Sequence, residues 1–279
     1  MSANQRGAAT RRSMRGAFGV AFRVGATASA SIVALGFAWI AATLLWRGIA
    51  AYEASRLGAG VSEYLAAAAL GSLQVVAVAF LMAVPLGVAA GVYIGDVGRH
   101  SSLMPVVRST AGALSGMPAV LAGVFVLFTL ERMGWGQGWF AGSVALAILM
   151  TPMLACTTSR TLERLSPSLR EAALVLGTPP WRILLQVSMR AAAPGILSAG
   201  MLALARASGQ VAPLLVTVPA RTQASASPGA LTPTLHVDAY RLLLEPAQDP
   251  SLAWTAALLL ALGTTTFVLV GHRLARRAR

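Results

Sequence analysis

Residues 66–95 read AAAALGSLQVVAVAFLMAVPLGVAAGVYIG, thirty residues without one Asp, Glu, Lys or Arg. A helix rises about 1.5 Å per residue, so about 20 apolar residues cross the roughly 30 Å hydrocarbon layer of a bilayer. This run, Ala66 to Gly95, is long enough to span. Five further runs qualify on either side of it: Ala26 to Trp46, Pro105 to Leu130, Gly138 to Thr158, Gly195 to Thr217 and Leu252 to Gly271. The pattern predicts an all-α membrane protein with six transmembrane helices. Composition agrees, since 56% of the 279 residues are apolar and 11% charged, against about 45–50% and about 25% in a soluble domain.

Every one of the 22 basic residues is Arg. Without Lys there is no P-loop and no Schiff-base chemistry, so any nucleotide hydrolysis that drives this chain belongs to another. The lone Cys156 excludes an intramolecular disulfide and a CxxC site, and His100, His236 and His272 lack metal-ligand spacing. No paired carboxylates, Ser–His set or metal cluster falls within the spans, which argues against an enzyme: no catalytic residue and no metal ligand is assigned. The net charge of +13 does not mark nucleic-acid binding, because the arginines sit in short groups beside apolar runs. Arginines of the ends and of alternate loops, Arg6 to Arg23, Arg99, Arg108, Arg160 to Arg190 and Arg273 to Arg279, outnumber those of the opposite side, Arg47, Arg56, Arg132, Arg221 and Arg241. The positive-inside rule then places both termini in the cytoplasm. Thr10-Arg11-Arg12-Ser13-Met14 has the look of an export signal, but the apolar run after it is too long for one and reads as an uncleaved anchor.

Gly87, Gly91 and Gly95 recur every fourth residue along one face of the second span, the pattern of a helix that approaches a neighbour closely. Met150 and Met153 read as core filling. Pro85, Pro118, Pro152 and Pro213 fall inside spans, where each removes a hydrogen bond and frees the carbonyl four residues earlier, at Leu81, Leu114, Ile148 and Gly209. Four such bends suggest moving parts around a cavity.

Between the fourth and fifth spans lies a polar loop, Ser159 to Pro194. Ser168-Leu169-Arg170-Glu171 has capping-box spacing, Gly177 can end the short helix in the left-handed conformation, and Thr178-Pro179 can open a second helix. Glu171-Ala172-Ala173 followed by Gly177, then Trp181 to Leu185 and Pro194-Gly195-Ile196, resembles the EAA loop of binding-protein-dependent ABC importer permeases. The resemblance covers roughly Met104 to Gly271, with Gly116-Met117-Pro118 and Met150-Thr151-Pro152 in it. It implies a type I, MetI-like bundle in which Glu171, Ala172, Ala173 and Gly177 belong to a coupling helix docked on a cytosolic ATPase. Met189-Arg190 departs from the Leu-Pro that many members carry, which leaves the bend of the second helix open.

Arg206 stands 11 residues into the fifth span, near mid-membrane, where a charge costs at least about 2.5–3.5 kcal/mol and must face a cavity or a partner. Its planar fork suits phosphate oxygens; an anion pathway and a structural salt bridge or interface contact are both open. Gln210 lies one turn on. The run Ala205-Arg206-Ala207-Ser208-Gly209-Gln210-Val211-Ala212-Pro213-Leu214-Leu215 resembles the phosphate-specific PstA permeases, as does Leu231-Thr232-Pro233. This implies half of a pathway for inorganic phosphate, working with a PstC-like sister permease, two PstB-like ATPase subunits that carry ATP and Mg, and a PstS-like periplasmic phosphate-binding protein. The chain itself would need no cofactor. Where those permeases have Glu, this sequence has Gln210: either the sister subunit supplies the acid, or the pathway is more positive and holds its anion longer. Gly209 and Pro213 weaken the helix beside Arg206 and predict a hinge.

The expected layout is a basic cytoplasmic arm (1–25), a first span and periplasmic loop (26–65), a permease domain in the inner membrane (66–272) with coupling loop 159–194 and periplasmic loop 218–251, and a basic cytoplasmic tail (273–279). The outer loop, with Ser225 to Gly229 flexible, reads either as a dock for the binding protein or as a connector. Competing functions are a permease for another oxyanion, such as phosphonate, sulfate or molybdate, and a non-transporting scaffold or signalling subunit.

Overall fold

The computed structural model describes residues 3–55, 61–98, 101–218, 233–244 and 250–277. The described residues contain eleven α-helices: α1 (Ala3–Ser55), α2 (Val61–Val92), α3 (Met104–Ser115), α4 (Ala119–Arg132), α5 (Trp139–Glu163), α6 (Pro167–Val175), α7 (Pro180–Arg182), α8 (Met189–Ala207), α9 (Ala212–Thr217), α10 (Leu235–Leu244) and α11 (Pro250–Arg277). π-helical turns extend α2 (Tyr93–Val97) and join α7 to α8 (Ile183–Ser188). Five helices are long and apolar enough to cross a membrane, six if α3 and α4 together make one broken span. Ser225 to Gly229 lies outside the described residues.

The expected first span is one section of α1, a helix of 53 residues that also takes in most of the basic arm. Its apolar stretch Phe22–Glu53 is almost wholly uncovered by the rest of the chain. It is held near the C-terminal end of that stretch, where Gly48 seats against Leu258 of α11 and the Arg47 guanidinium lies 5.0 Å from the Trp254 ring centroid.

The glycine stripe settles how the centre is built. A Cβ on Gly87 would fall 2.6 Å from Leu154 Cβ, on Gly91 2.5 Å from Thr158 Cβ, and on Gly95 2.9 Å from Ser159 Cα. All three contacts are on α5, so α2 and α5 touch backbone to backbone. Val75, Ala79, Ala83, Leu146, Met150, Leu154, Ala203, Leu214 and Val237 form the core around that seam.

Two expected spans are broken rather than bent. The run Pro105 to Leu130 divides into α3 and α4, which meet at 104° across Gly116-Met117-Pro118. Pro118 is the N-cap of α4, so its missing N–H falls where a helix has no use for one. The run Gly195 to Thr217 ends as a helix at Ala207 and resumes at Ala212, with Pro213 in the first turn of α9. Pro85 and Pro152 do lie inside helices, as does Pro194 of α8.

Candidate functional site

The two breaks lie side by side against α5. Between them lies a cavity of about 460 Å³ whose walls are Ser115 and Met117 from the first break, Met153, Thr157 and Arg160 from α5, and Arg206 and Gln210 from the second. The α5 residues belong to one helical face, since Leu149, Met153, Cys156, Thr157 and Arg160 all line the cavity at spacings of three to four. A recess of about 20 Å³ behind Arg206 and Gln210 is walled by Leu146, Leu149, Met150 and Met153. Met150 is buried core, whereas Met153 fills part of the cavity wall.

Arg206 occupies the last turn of α8 and is exposed on this chain. Among the described residues neither Arg206 nor Arg160 has an ion-pair partner; the ion pairs there are Arg108–Glu163 and Arg170–Asp96. The cavity thus holds two guanidinium groups and no carboxylate. Such a site favours an anion and penalises a cation, because two fixed charges of one sign line the same cavity with no opposite charge to offset them. Gln210 adds a neutral donor, while the Ser115 and Thr157 hydroxyls already donate to the Ala111 and Met153 carbonyls. Where the sequence predicts a loop from Ser159, α5 continues to Glu163 and carries Arg160 on the cavity face of its last turn.

The second break is held on two sides. Gly123 of α4 presses on α9, where an added Cβ would lie 2.7 Å from the Pro213 carbonyl oxygen. From the other side the Nε2–H of His236, on α10, donates to the Ser208 carbonyl over 2.9 Å. Gly209 N–H bonds to the Arg206 carbonyl (3.2 Å) and Gln210 N–H to that of Ala207 (3.0 Å), closing a tight turn. His236 is nearly inaccessible to solvent, and burial pulls its pKa down to about 4. Two residues on, burial raises the carboxyl of Asp238 to about 6, against the opposing pull of a hydrogen bond from Tyr64 and the charge of Arg241. Sequence reasoning missed His236; only the topology brings it to the break.

At the other end, α6 carries Glu171, Ala172 and Ala173. The N-cap is Ser166, two residues ahead of the expected Ser168, with Pro167 in the first turn. The C-terminus is a Schellman turn: Gly177 has φ +74°, its N–H bonds to Leu174 O (2.9 Å), and Thr178 N–H bonds to Ala173 O (3.1 Å). Pro179, rather than Thr178, caps α7. At Met189-Arg190 the chain passes from the π-helical turn into α8 without a stop. Glu171 and Ala172 are exposed, and Val175 and Leu176 stand out at 86% and 83% exposure, an apolar tip with nothing of this chain upon it. Behind α6, Arg170 pairs with the buried Asp96 at the end of α2.

Residues 83–279 match the family model "Binding-protein-dependent transport system inner membrane component". The phosphate transport system permease protein PstA of Pasteurella multocida is 34% identical over 245 residues, 85% of this chain and 86% of that protein. The Yersinia pestis protein of the same name is 36% identical over 200 residues, 71% and 68% of the two chains. Among solved structures, the inward-facing MetNI methionine ABC transporter shares the fold at TM-score 0.59 and 20% identity, covering 85% of this chain and 96% of that one. The chain therefore belongs to the binding-protein-dependent transport system inner membrane component family, and within it to the PstA permease proteins.

Proposed function

We propose that this chain is one half of the translocation pathway of an ATP-driven phosphate importer. The observation that carries this is the cavity between the two helix breaks, in which Arg160 and Arg206 stand together with no neutralising acid. A guanidinium stays charged at any physiological pH, and leaving one in a membrane without a counter-ion is costly. A travelling oxyanion supplies that counter-charge. Because Arg206 is exposed on this chain, a sister permease, PstC-like, closes the pathway on the open side. A PstS-like binding protein delivers phosphate, with both termini of this chain in the cytoplasm. A pair of PstB-like ATPase subunits holds ATP and Mg and pushes on α6 at Glu171, Ala172 and Ala173, the turn that precedes the rigid Gly177 turn. Gly209 and Pro213, at the second break, are the hinge on which the Arg206 side of the cavity turns.

The reading is tested by Arg206→Ala and Arg160→Ala in the assembled complex, measured as uptake of radiolabelled phosphate into proteoliposomes. Each substitution is expected to reduce uptake by at least tenfold at equal complex content. Normal uptake by Arg206→Ala sinks the pathway assignment. Competition by sulfate, molybdate and phosphonate in the same vesicles separates phosphate from other oxyanions, and a complex that takes up none of them is a scaffold.

A further inference from the structure

We propose that His236 is a positioning residue for Arg206: by binding the Ser208 carbonyl it holds the break between α8 and α9 and so sets where the guanidinium stands in the cavity. This rests on the phosphate-pathway reading of that cavity. In an unbroken helix the Ser208 carbonyl would accept the N–H of Ala212. The break takes that partner away, and Ser208 is buried, 7% exposed, which leaves little room for water to compensate. The imidazole of His236, itself 1% exposed, replaces the missing donor at 2.9 Å. The break is therefore a paired, stable conformation and not a frayed helix end.

The donor is delivered by a helix that is itself anchored. Leu235 N–H, at the start of α10, bonds to Ser72 Oγ of α2 over 2.8 Å, and Tyr64, also on α2, bonds to Asp238. α10 thus works as a strap fastened to α2 on both sides of His236. Arg206 lies two residues before the carbonyl that His236 holds, and its own carbonyl is inside the same turn. If His236 let go, the Ser208 carbonyl could recapture Ala212 N–H, adding a turn to α8 and changing where Arg206 and Gln210 stand relative to one another. The effect on transport would come through the arginine, since His236 is not in the wall of the cavity.

The test uses the complete complex in proteoliposomes, reading phosphate moved per ATP hydrolysed for His236→Leu and His236→Gln. Loss of assembly would lower both quantities together; misplacement of Arg206 lowers the ratio. The expected result is a ratio at least fivefold lower for His236→Leu and within twofold of the parent for His236→Gln, which keeps an N–H donor. A normal ratio for His236→Leu, or a ratio for Gln as poor as for Leu, overturns the proposal. Should His236→Leu not assemble, nitrogen-15 NMR of the parent complex with only this chain isotope-labelled decides, with His100 and His272 assigned by their Gln variants. A protonated Nε2 with a bare Nδ1 on the remaining imidazole sustains the proposal, and an imidazolium or an Nδ1–H tautomer overturns it. Arg206→Ala is the control: normal transport there removes the underlying pathway, whereas a defect there beside a normal His236→Leu removes only the role of His236.

Discussion

Asp96, buried at the end of the π-helical turn that extends α2, is ion-paired with Arg170, the residue just before Glu171 on α6. Because α2 lies backbone to backbone on α5, which carries Arg160, this pair joins the apolar tip of α6 to the wall of the cavity. Asp96→Asn keeps the shape and removes the attraction. Arg170 is half exposed and can turn to water, so the loss of stability is expected to be modest, about 1 kcal/mol. Transmission should suffer more: phosphate moved per ATP hydrolysed is expected to fall at least threefold. A parental ratio would show that the pair tethers α6 without passing force through it.

The α2–α5 seam predicts which glycines tolerate a methyl group. At Gly91 a Cβ would meet Thr158 Cβ at 2.5 Å and the Ala155 carbonyl oxygen at 2.7 Å, and the backbone atom cannot rotate away. Gly91→Ala should cost about 1–3 kcal/mol, the usual penalty of overpacking, seen as a lower thermal midpoint and less assembled complex. Gly263 of α11 has nothing within 4 Å, and Gly263→Ala should leave the midpoint unchanged or raise it slightly.

The features legible in sequence were those that local chemistry decides. The spacing of Gly87, Gly91 and Gly95 announces a close helix contact whatever the neighbour proves to be, and Gly177 ends a helix on its own conformational freedom. A proline says only that a carbonyl is freed. Whether the helix bends or breaks depends on what else can pair the backbone: inside α5 the chain continues past Pro152, whereas before Pro213 a histidine from 28 residues further along takes the Ser208 carbonyl. That donor has no signature in the local run. Arg160 was hidden for a different reason. Charge counting assigns an arginine to a side of the membrane, while its place in the cavity follows from the length of α5 and the face that helix turns inward.

Gln210 lines the same cavity as Arg206, so Gln210→Glu would place the missing acid near the guanidinium. One fixed negative charge there should offset attraction worth on the order of 1 kcal/mol at a partly hydrated site, about fivefold in anion affinity. Phosphate retained by the solubilised complex is expected to fall by about that factor in low salt, and by less at high ionic strength. Unchanged retention would mean that the anion does not rest between Arg206 and Gln210.

The α10 strap carries two titrations of opposite sign. His236 is held neutral in the fold, down to a pKa of about 4, so between about 4 and its ordinary value near 6.5 the unfolded chain binds more protons, and acidification through that window destabilises. Asp238 is raised to about 6, so between its ordinary value near 4 and about 6 the folded chain binds more protons, and acidification stabilises. Each effect is on the order of 3 kcal/mol in full, and from about pH 4 to 6 they oppose one another. Asp238→Asn removes one slope: its thermal midpoint is expected to drop as pH falls from 6.5 towards 4, while the parent changes little from 6 to 4. His236→Gln leaves the other slope, and its midpoint should drop as pH rises from about 4 to 6. Parallel curves for all three proteins would place the pH response elsewhere in the molecule. Opposite slopes in the two variants would show that the strap stays closed over the break across acidic conditions because its histidine and its aspartate compensate.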